Sequence, residues 1–372
     1  MTPFDGGRMP TNSHLQRGAQ RRMATMFLLA AAIGGGALAG RTALPAQTST
    51  AASTPQVSSA TGETSASSYA WPVKPFDRQH PVRGSFGDPR SIFRGNPTLR
   101  GLMTSRCACS YHQGIDVSAP DGTDVYPVRS GVARIVTPDW VEVDSEGGNA
   151  FQYWHIHAAV KVGDHVQARQ TVLGQILRGS EHVHLTELQN GKPTNPLAPG
   201  HIGPYADSTT PRVSAITFRA QDAGPDLLPE YLRGNVEIVA AAGDTPTLPV
   251  PGKWNGLPVT PSKLTYHVDA YPSGQTMVAE TTAMDVGRDL PGTSDMWHTY
   301  ARGTRMNMVQ MGVHRYWYQP GVYLFKLATS FDTHRLKDGV YRITATAWDT
   351  AGNHSSTSQI INVHNRKTWL EK

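Results

Sequence analysis

GVARIVTPDWVEVDSEGGNAFQYWHIHAAVKVGDHV, residues 131–166, decides the fold class. Val141 and Val143 alternate with Glu142 and Asp144, and Phe151 and Tyr153 alternate with Gln152 and Trp154. Side chains in a strand point to opposite faces with period two, so these runs read as strands with one apolar face. Pro138, Asp139 and the Gly147-Gly148 pair punctuate them as turns do. The same texture continues through TVLGQIL (171–177) and HVHLTEL (182–188), with no long helical pattern between. An antiparallel sheet is expected from about residue 71 to about residue 204.

A second β-rich stretch follows. RVSAITFRAQD (212–222), NVEIVAAAGD (235–244), KLTYHVDAY (263–271), GVYLFKLAT (321–329), GVYRITATAWD (339–349) and SQIINVH (358–364) are strand-like, with turn signals at Asp338-Gly339 and Gly352-Asn353. Short strands so spaced indicate a β-sandwich. The segment DGVYRITATAWDTAGNHSS resembles the closing hairpin of bacterial immunoglobulin-like or fibronectin-like modules. A sandwich is a generic scaffold and carries no function by itself.

Upstream of the sheets, Arg17 to Arg22 carries three arginines, and Met23 to Ala39 is uncharged and ends in small residues. That is the layout of a signal peptide. At 17 residues with three glycines the run is short for a membrane span, which needs roughly 20, so an uncleaved N-terminal membrane anchor is the alternative. Either way the rest of the chain is expected outside the cytoplasm, secreted or at the cell surface. The Ser/Thr/Ala/Pro-rich stretch after it lacks the apolar residues a core needs and reads as a linker. The expected division is therefore 1–46 signal peptide or anchor, 47–70 linker, 71–204 the first β domain and 205–372 the β-sandwich. At 372 residues, two folded units plus tails fits the ~100 to 200 residues usual per domain.

Composition narrows the chemistry. Lys plus Arg outnumber Asp plus Glu by 34 to 29, a formal +5, yet no dense basic run or aromatic RNA-binding signature accompanies it, so no nucleic-acid partner is expected. Fifteen histidines against two cysteines direct attention to imidazole, a metal ligand and a base near neutral pH. Three histidine-bearing segments lie in the first β domain: His112-Gln-Gly-Ile-Asp116, Tyr153-Trp-His155-Ile-His157 and His182-Val-His184. On a strand, i and i+2 share a face, so His182 and His184 form one same-face pair and His155 and His157 a second. Gly114 argues against a helix between His112 and Asp116, so a loop entering the strand Ile-Asp-Val is expected. A lone His-x-His is more often a core or surface pair than a ligand pair. Three ordered segments are a different matter: two imidazoles and one carboxylate leave a tetrahedral zinc ion one open position, as in catalytic rather than structural sites.

These segments resemble the lysostaphin/LytM-type metalloendopeptidases over roughly residues 84–196. That family carries His-x-x-x-Asp, then Tyr-x-His-Leu, then His-Leu-His, and here HQGID, YWHI and HVH stand in that order, supported by GSFGDPR, APDGTDVYPVRSGVARIV and VKVGDHVQARQTVLGQI. The resemblance implies a LytM-like metallopeptidase domain with one zinc ion on His112, Asp116 and His184. It implies catalytic roles for His155 and His182, one as base and one as stabiliser of the developing oxyanion, with the assignment between them open. It implies an endopeptidase that hydrolyses bacterial peptidoglycan peptides through a metal-activated water. The alternative is a non-catalytic, metal-stabilised envelope protein that binds wall peptides or activates another hydrolase. The sequence departs from the family in its short approach to the last pair, ILRGSEHVHLTEL, where the family has a glycine-rich one. His157 is expected to be structural, and His165 and His201 to be surface residues. Cys107 and Cys109 are one residue apart, a spacing that strains an intrachain bridge, so free thiols or an intermolecular bond are expected alternatives.

Overall fold

The computed structural model describes residues 69–90, 109–221, 224–293, 295–309 and 318–366. The signal peptide or anchor over 1–46, and the linker up to residue 68, lie outside the described residues. Within those residues the regular structure is strands and short 3-10 turns, and no helix is long and apolar enough to cross a membrane. The chain is all-β and its sheets are antiparallel, as the alternation in 131–166 requires.

The first core sits under one large sheet. Its strands run in the order Val82–Gly84, Ile115–Ser118, His182–Gln189, Asn149–Trp154, Trp140–Ser145, Gly131–Val136 and His165–Val166, with Lys192–Thr194 paired onto His182–Gln189. Alternation places Ile115, Val117, Val141, Val143, Phe151, Tyr153, Val183 and Leu185 on the inner face, all fully buried in one cluster. Each such side chain contributes about 1.5–3 kcal/mol relative to exposure. A small second sheet of Asp124–Val125, Gly174–Ile176 and Ile156–Ala158 covers that cluster. Trp71, also fully buried, donates its indole N–H to the Pro204 carbonyl at 2.8 Å, and Tyr69 bridges to Ile202, so the start and the end of this unit are tied together.

The second core lies between two four-stranded sheets. One has the order Asp226–Leu227, Arg212–Ala220, Asn235–Gly243 and Leu324–Asp332; the other Thr276–Asp285, Lys263–Ala270, Gly339–Trp348 and His354–Val363. Phe218, Ile238, Leu264, Phe325 and Ile343 fill the space between them. This is the sandwich expected from the strand spacing, and the hairpin of Gly339–Trp348 with His354–Val363 closes it in unbroken register.

The two cores are not separate beads. Cys109 and Tyr111, which precede the HQGID segment, are buried in the sandwich's cluster, and Leu290 packs against both clusters. Tyr111 Oη donates to Thr299 Oγ1 at 2.7 Å, and Tyr300 Oη donates to the Gly87 carbonyl at 2.7 Å. The Thr260 N–H donates to Asp88 Oδ1 at 2.7 Å. Cys109 is disulfide-bonded, which removes the free-thiol alternative there, and Cys107 lies outside the described residues.

Candidate metal centre

Register builds the centre. His184 stands directly opposite Asp116 on one side and Trp154 on the other, and Trp154 stands opposite Trp140. Asp116, His184, Trp154 and Trp140 therefore form one row across four strands, on the sheet face away from the apolar core. Close approach of the strands depends on Gly114, where a Cβ would fall 2.1 Å from the Leu185 carbonyl oxygen. At Gly84 a Cβ would fall 2.5 Å from Asp116 Oδ2. His112 enters from the loop just before the Ile115–Ser118 strand, with its backbone N–H on the Asp88 carbonyl at 2.8 Å.

Three donor atoms meet there. His112 Nε2 and His184 Nδ1 are 2.7 Å apart, and each is 3.1 Å from Asp116 Oδ1. The outer nitrogen sets the His112 tautomer: Nδ1 lies 2.9 Å from the Ser85 carbonyl, which can only accept, so Nε2 turns a bare lone pair inward. His184 Nε2 lies 2.7 Å from Thr186 Oγ1, a hydroxyl that can accept its proton and leave Nδ1 bare toward the same carboxylate oxygen. Such an arrangement is repulsive by itself and fits a cation among the three atoms. Its edges, 2.7 and 3.1 Å, are shorter than the ~3.3–3.6 Å expected between tetrahedral ligands at zinc distances of about 2.0–2.2 Å.

Charge states agree with that fit. Burial, with Arg90 adding, lowers His112 to about 3, so its ring is neutral near pH 7. Burial also lowers His184. Burial alone would raise Asp116, but His112 and the Arg90 guanidinium outweigh it and hold the carboxyl well below the usual range. Arg90 Nη2 donates to Asp116 Oδ2 at 2.7 Å, leaving Oδ1 for the ring nitrogens. Neutral imidazoles and an ionised carboxylate are the forms that bind metal.

His182 and His155 flank the donor set. His182 Nε2 is 3.5 Å from Asp116 Oδ1, and its ring centre is 4.6 Å from that of His155. The His155 ring centre is 6.5 Å from that of His184. Partial burial, with the His182 ring adding, lowers His155 to about 4, although the residue as a whole is exposed. His155 has φ +66° and ends the Asn149–Trp154 strand. The expected same-face pairing of His155 with His157 therefore fails: the chain turns at His155, and His157 lies in the small sheet opposite Gln175. His165 is exposed as expected. His201 is not a plain surface residue, because its Nδ1 is 2.7 Å from Oε2 of the buried Glu187.

Residues 110–196 match the profile of Peptidase family M23. This region is an M23 domain. The match takes in HQGID, YWHI and HVH, and with them all three donor residues and both flanking histidines. No curated protein matches the chain significantly. Among solved structures, the chain is similar to a chain of the SpoIIIAH and SpoIIQ complex, at 26% identity over 35% of this chain and 97% of that one, with a TM-score of 0.26. It is similar to a zinc-containing peptidase from Vibrio cholerae, at 21% identity over 36% of this chain and 39% of that one, TM-score 0.26. It is also similar to the catalytic domain of a mutant of the prophage-encoded M23 protein EnpA from Enterococcus faecalis, at 22% identity over 36% and 95%, TM-score 0.24.

Sequence reasoning singled out the M23 domain's imidazoles but missed their supports. Arg90, Ser85 and Thr186 orient the donors, and only the supporting segment GSFGDPR pointed toward the first two. Arg134, Glu142 and Gln152 form a chain of hydrogen bonds ending on Trp154 Nε1, which locks the indole beside His184. The Trp140 and Trp154 rings stack at 4.3 Å with 9° between their planes. Beyond the M23 domain, Asp207, Asp244 and Asp349 form a second cluster of carboxylates. Burial, then repulsion from Asp207, raises Asp244 to about 8, and burial raises Asp349 to about 6.

Proposed function

We propose that this chain is an exported zinc-dependent endopeptidase that hydrolyses peptide bonds of bacterial peptidoglycan. The observation that carries the reading is the convergence of His112 Nε2, Asp116 Oδ1 and His184 Nδ1, with the Ser85 carbonyl holding the His112 ring proton on the outer side. His112, Asp116 and His184 would hold the ion, and a bound zinc supplies a water ionisable near neutral pH and a Lewis acid for the scissile carbonyl. The residues around it do the rest. Arg90 keeps Asp116 ionised and oriented. His155 and His182, beside the donor set, are placed to take the water's proton and to hydrogen-bond the developing oxyanion. The open face carrying Trp154 and Trp140 forms a floor on which a peptide can lie. The N-terminal segment, read as a signal peptide or anchor, places this activity outside the cytoplasm.

The test is to incubate purified peptidoglycan with the zinc-loaded chain, with and without chelator, and to analyse the fragments by mass spectrometry. New peptide ends that vanish with chelator are expected. Intact crosslinks and stems under every condition would leave a metal-stabilised wall-binding protein in place of the enzyme.

A further inference from the structure

A cation at the edge of the centre has no direct ion-pair partner among the described residues, and Asp116, Glu181 and Asp121 act on it only through space. Arg83 follows Val82 at the start of the edge strand Val82–Gly84, one imidazole ring away from the donor set. Its Nη2 is 2.6 Å from His182 Nδ1, but that nitrogen is also 2.6 Å from the Ser180 carbonyl. One ring nitrogen serves one of them: if its proton goes to Ser180, it has no lone pair for the guanidinium. Arg83 makes no ion pair among the described residues. The neighbouring acids are engaged elsewhere: Asp116 with Arg90 and the imidazoles, Asp121 with the Gly179 and Glu181 N–H groups, and Glu181 with Lys253 at 3.8 Å.

The guanidinium is nonetheless drawn out of water. It lies 4.1 Å over the ring of Trp254, which comes from the 3-10 turn Gly252–Trp254 of the C-terminal unit. Arg83 Nε and Trp254 Nε1 are both buried donors without an acceptor. Burying a cation and two donors unsatisfied costs free energy that the stacking returns only in part. Those two atoms are sealed, so a ligand reaches the group through the remaining guanidinium N–H groups of the partly exposed Arg83, and a stacked cation beside a reactive centre matches one kind of ligand. A guanidinium fork takes a carboxylate in bidentate fashion, and its low-dielectric setting strengthens the pair.

We infer that Arg83 and Trp254 form a subsite that binds a carboxylate of the peptide substrate next to the bond to be cut. The inference rests on the endopeptidase reading for its substrate and adds what that substrate must carry. It also gives the C-terminal unit a share in selectivity, through one indole.

The experiment uses the full zinc-loaded chain and crosslinked muropeptides in two forms, with free carboxylates and with those carboxylates converted to amides. Binding is measured by titration calorimetry, and cleavage is followed separately by mass spectrometry. Wild-type chain should bind the free form about tenfold or more tightly than the amide, as the loss of a charge-assisted pair implies. Arg83→Gln should bring that ratio to about one. Trp254→Ala, a second variant that readmits water to the guanidinium, should lower it several-fold. Equal binding of the two forms by wild type, or an unchanged ratio in both variants, overturns the inference. A carboxylate-dependent ratio without cleavage leaves the subsite standing and removes the endopeptidase; cleavage without the ratio does the reverse.

Discussion

Asp116 carries more of the centre than any other side chain, because one of its oxygens faces both inner ring nitrogens and the other holds Arg90. Asp116→Asn keeps the shape and removes the charge. Bound zinc per chain, measured by inductively coupled plasma mass spectrometry, should fall from about one to near zero, with hydrolysis lost alongside. Arg90→Ala spares all three donors but frees the carboxylate to rotate, so zinc should bind about 10- to 100-fold more weakly in a competition titration, the usual effect of losing an outer partner. The lowered His155 sets a pH expectation. A ring whose pKa is below its ordinary 6.5 stays neutral, and able to accept a proton, into mildly acid solution. The acid limb of the pH–rate profile should therefore lie below pH 6.5; a limb at or above that value would contradict the role given to His155. The histidine-bearing segments were legible from alternation and order, but the choice of His112, Asp116 and His184 among them came from the resemblance to the LytM-type family, since His182 and His184 share a face. Arg90 and Ser85 were not legible, because they act on Asp116 and His112 from 26 and 27 residues away, and Thr186, only two residues from His184, gave no sign that its hydroxyl meets that ring.

Among the elements, the inner strand pairing sets the precision of the centre. The Ile115–Ser118 and His182–Gln189 strands hold Asp116 opposite His184, and Gly114 lets the chain run flush against Leu185 just before that pair. Gly114→Ala forces a methyl group into a carbonyl oxygen at 2.1 Å, a backbone contact that cannot yield. A loss of about 3 kcal/mol or more is expected in denaturant unfolding, with zinc binding weakened in whatever fraction folds. The same strands were plain in the sequence from their valines and aromatics. The break at His155 was hidden, because the FQYWHIH pattern alternates straight through a residue whose φ is +66°. Periodicity reports which residues seek a core; it does not report where a chain leaves one sheet for another.

On the scale of the whole molecule, the buried carboxylates tie stability to pH. Asp244, raised to about 8 chiefly by burial and then by Asp207, holds a proton between about pH 4 and 8 that the unfolded chain gives up. Folding is therefore favoured on the acid side of that window, and the contribution is lost as pH rises through it. Asp349 and Asp88, raised to about 6 and about 7 by burial, act in the same sense. Asp244→Asn should melt about 2–4 °C above wild type at pH 8 and much closer to it at pH 5, as calorimetric scans at the two values would read. Two β units were foreseeable from the strand spacing. Their fusion was not, since Tyr111, Thr260 and Tyr300 give no local sign of what they touch.

That fusion bears on how such a protein can be reused. The loop delivering His112 is pinned by Tyr300 at Gly87, by Thr260 at Asp88 and by Tyr111 at Thr299. The M23 domain cut off at residue 204 and joined to a different C-terminal unit would arrive with that loop's anchors severed. Recombination that swaps C-terminal units should spare this pair, and its two halves should be inherited together or lost together.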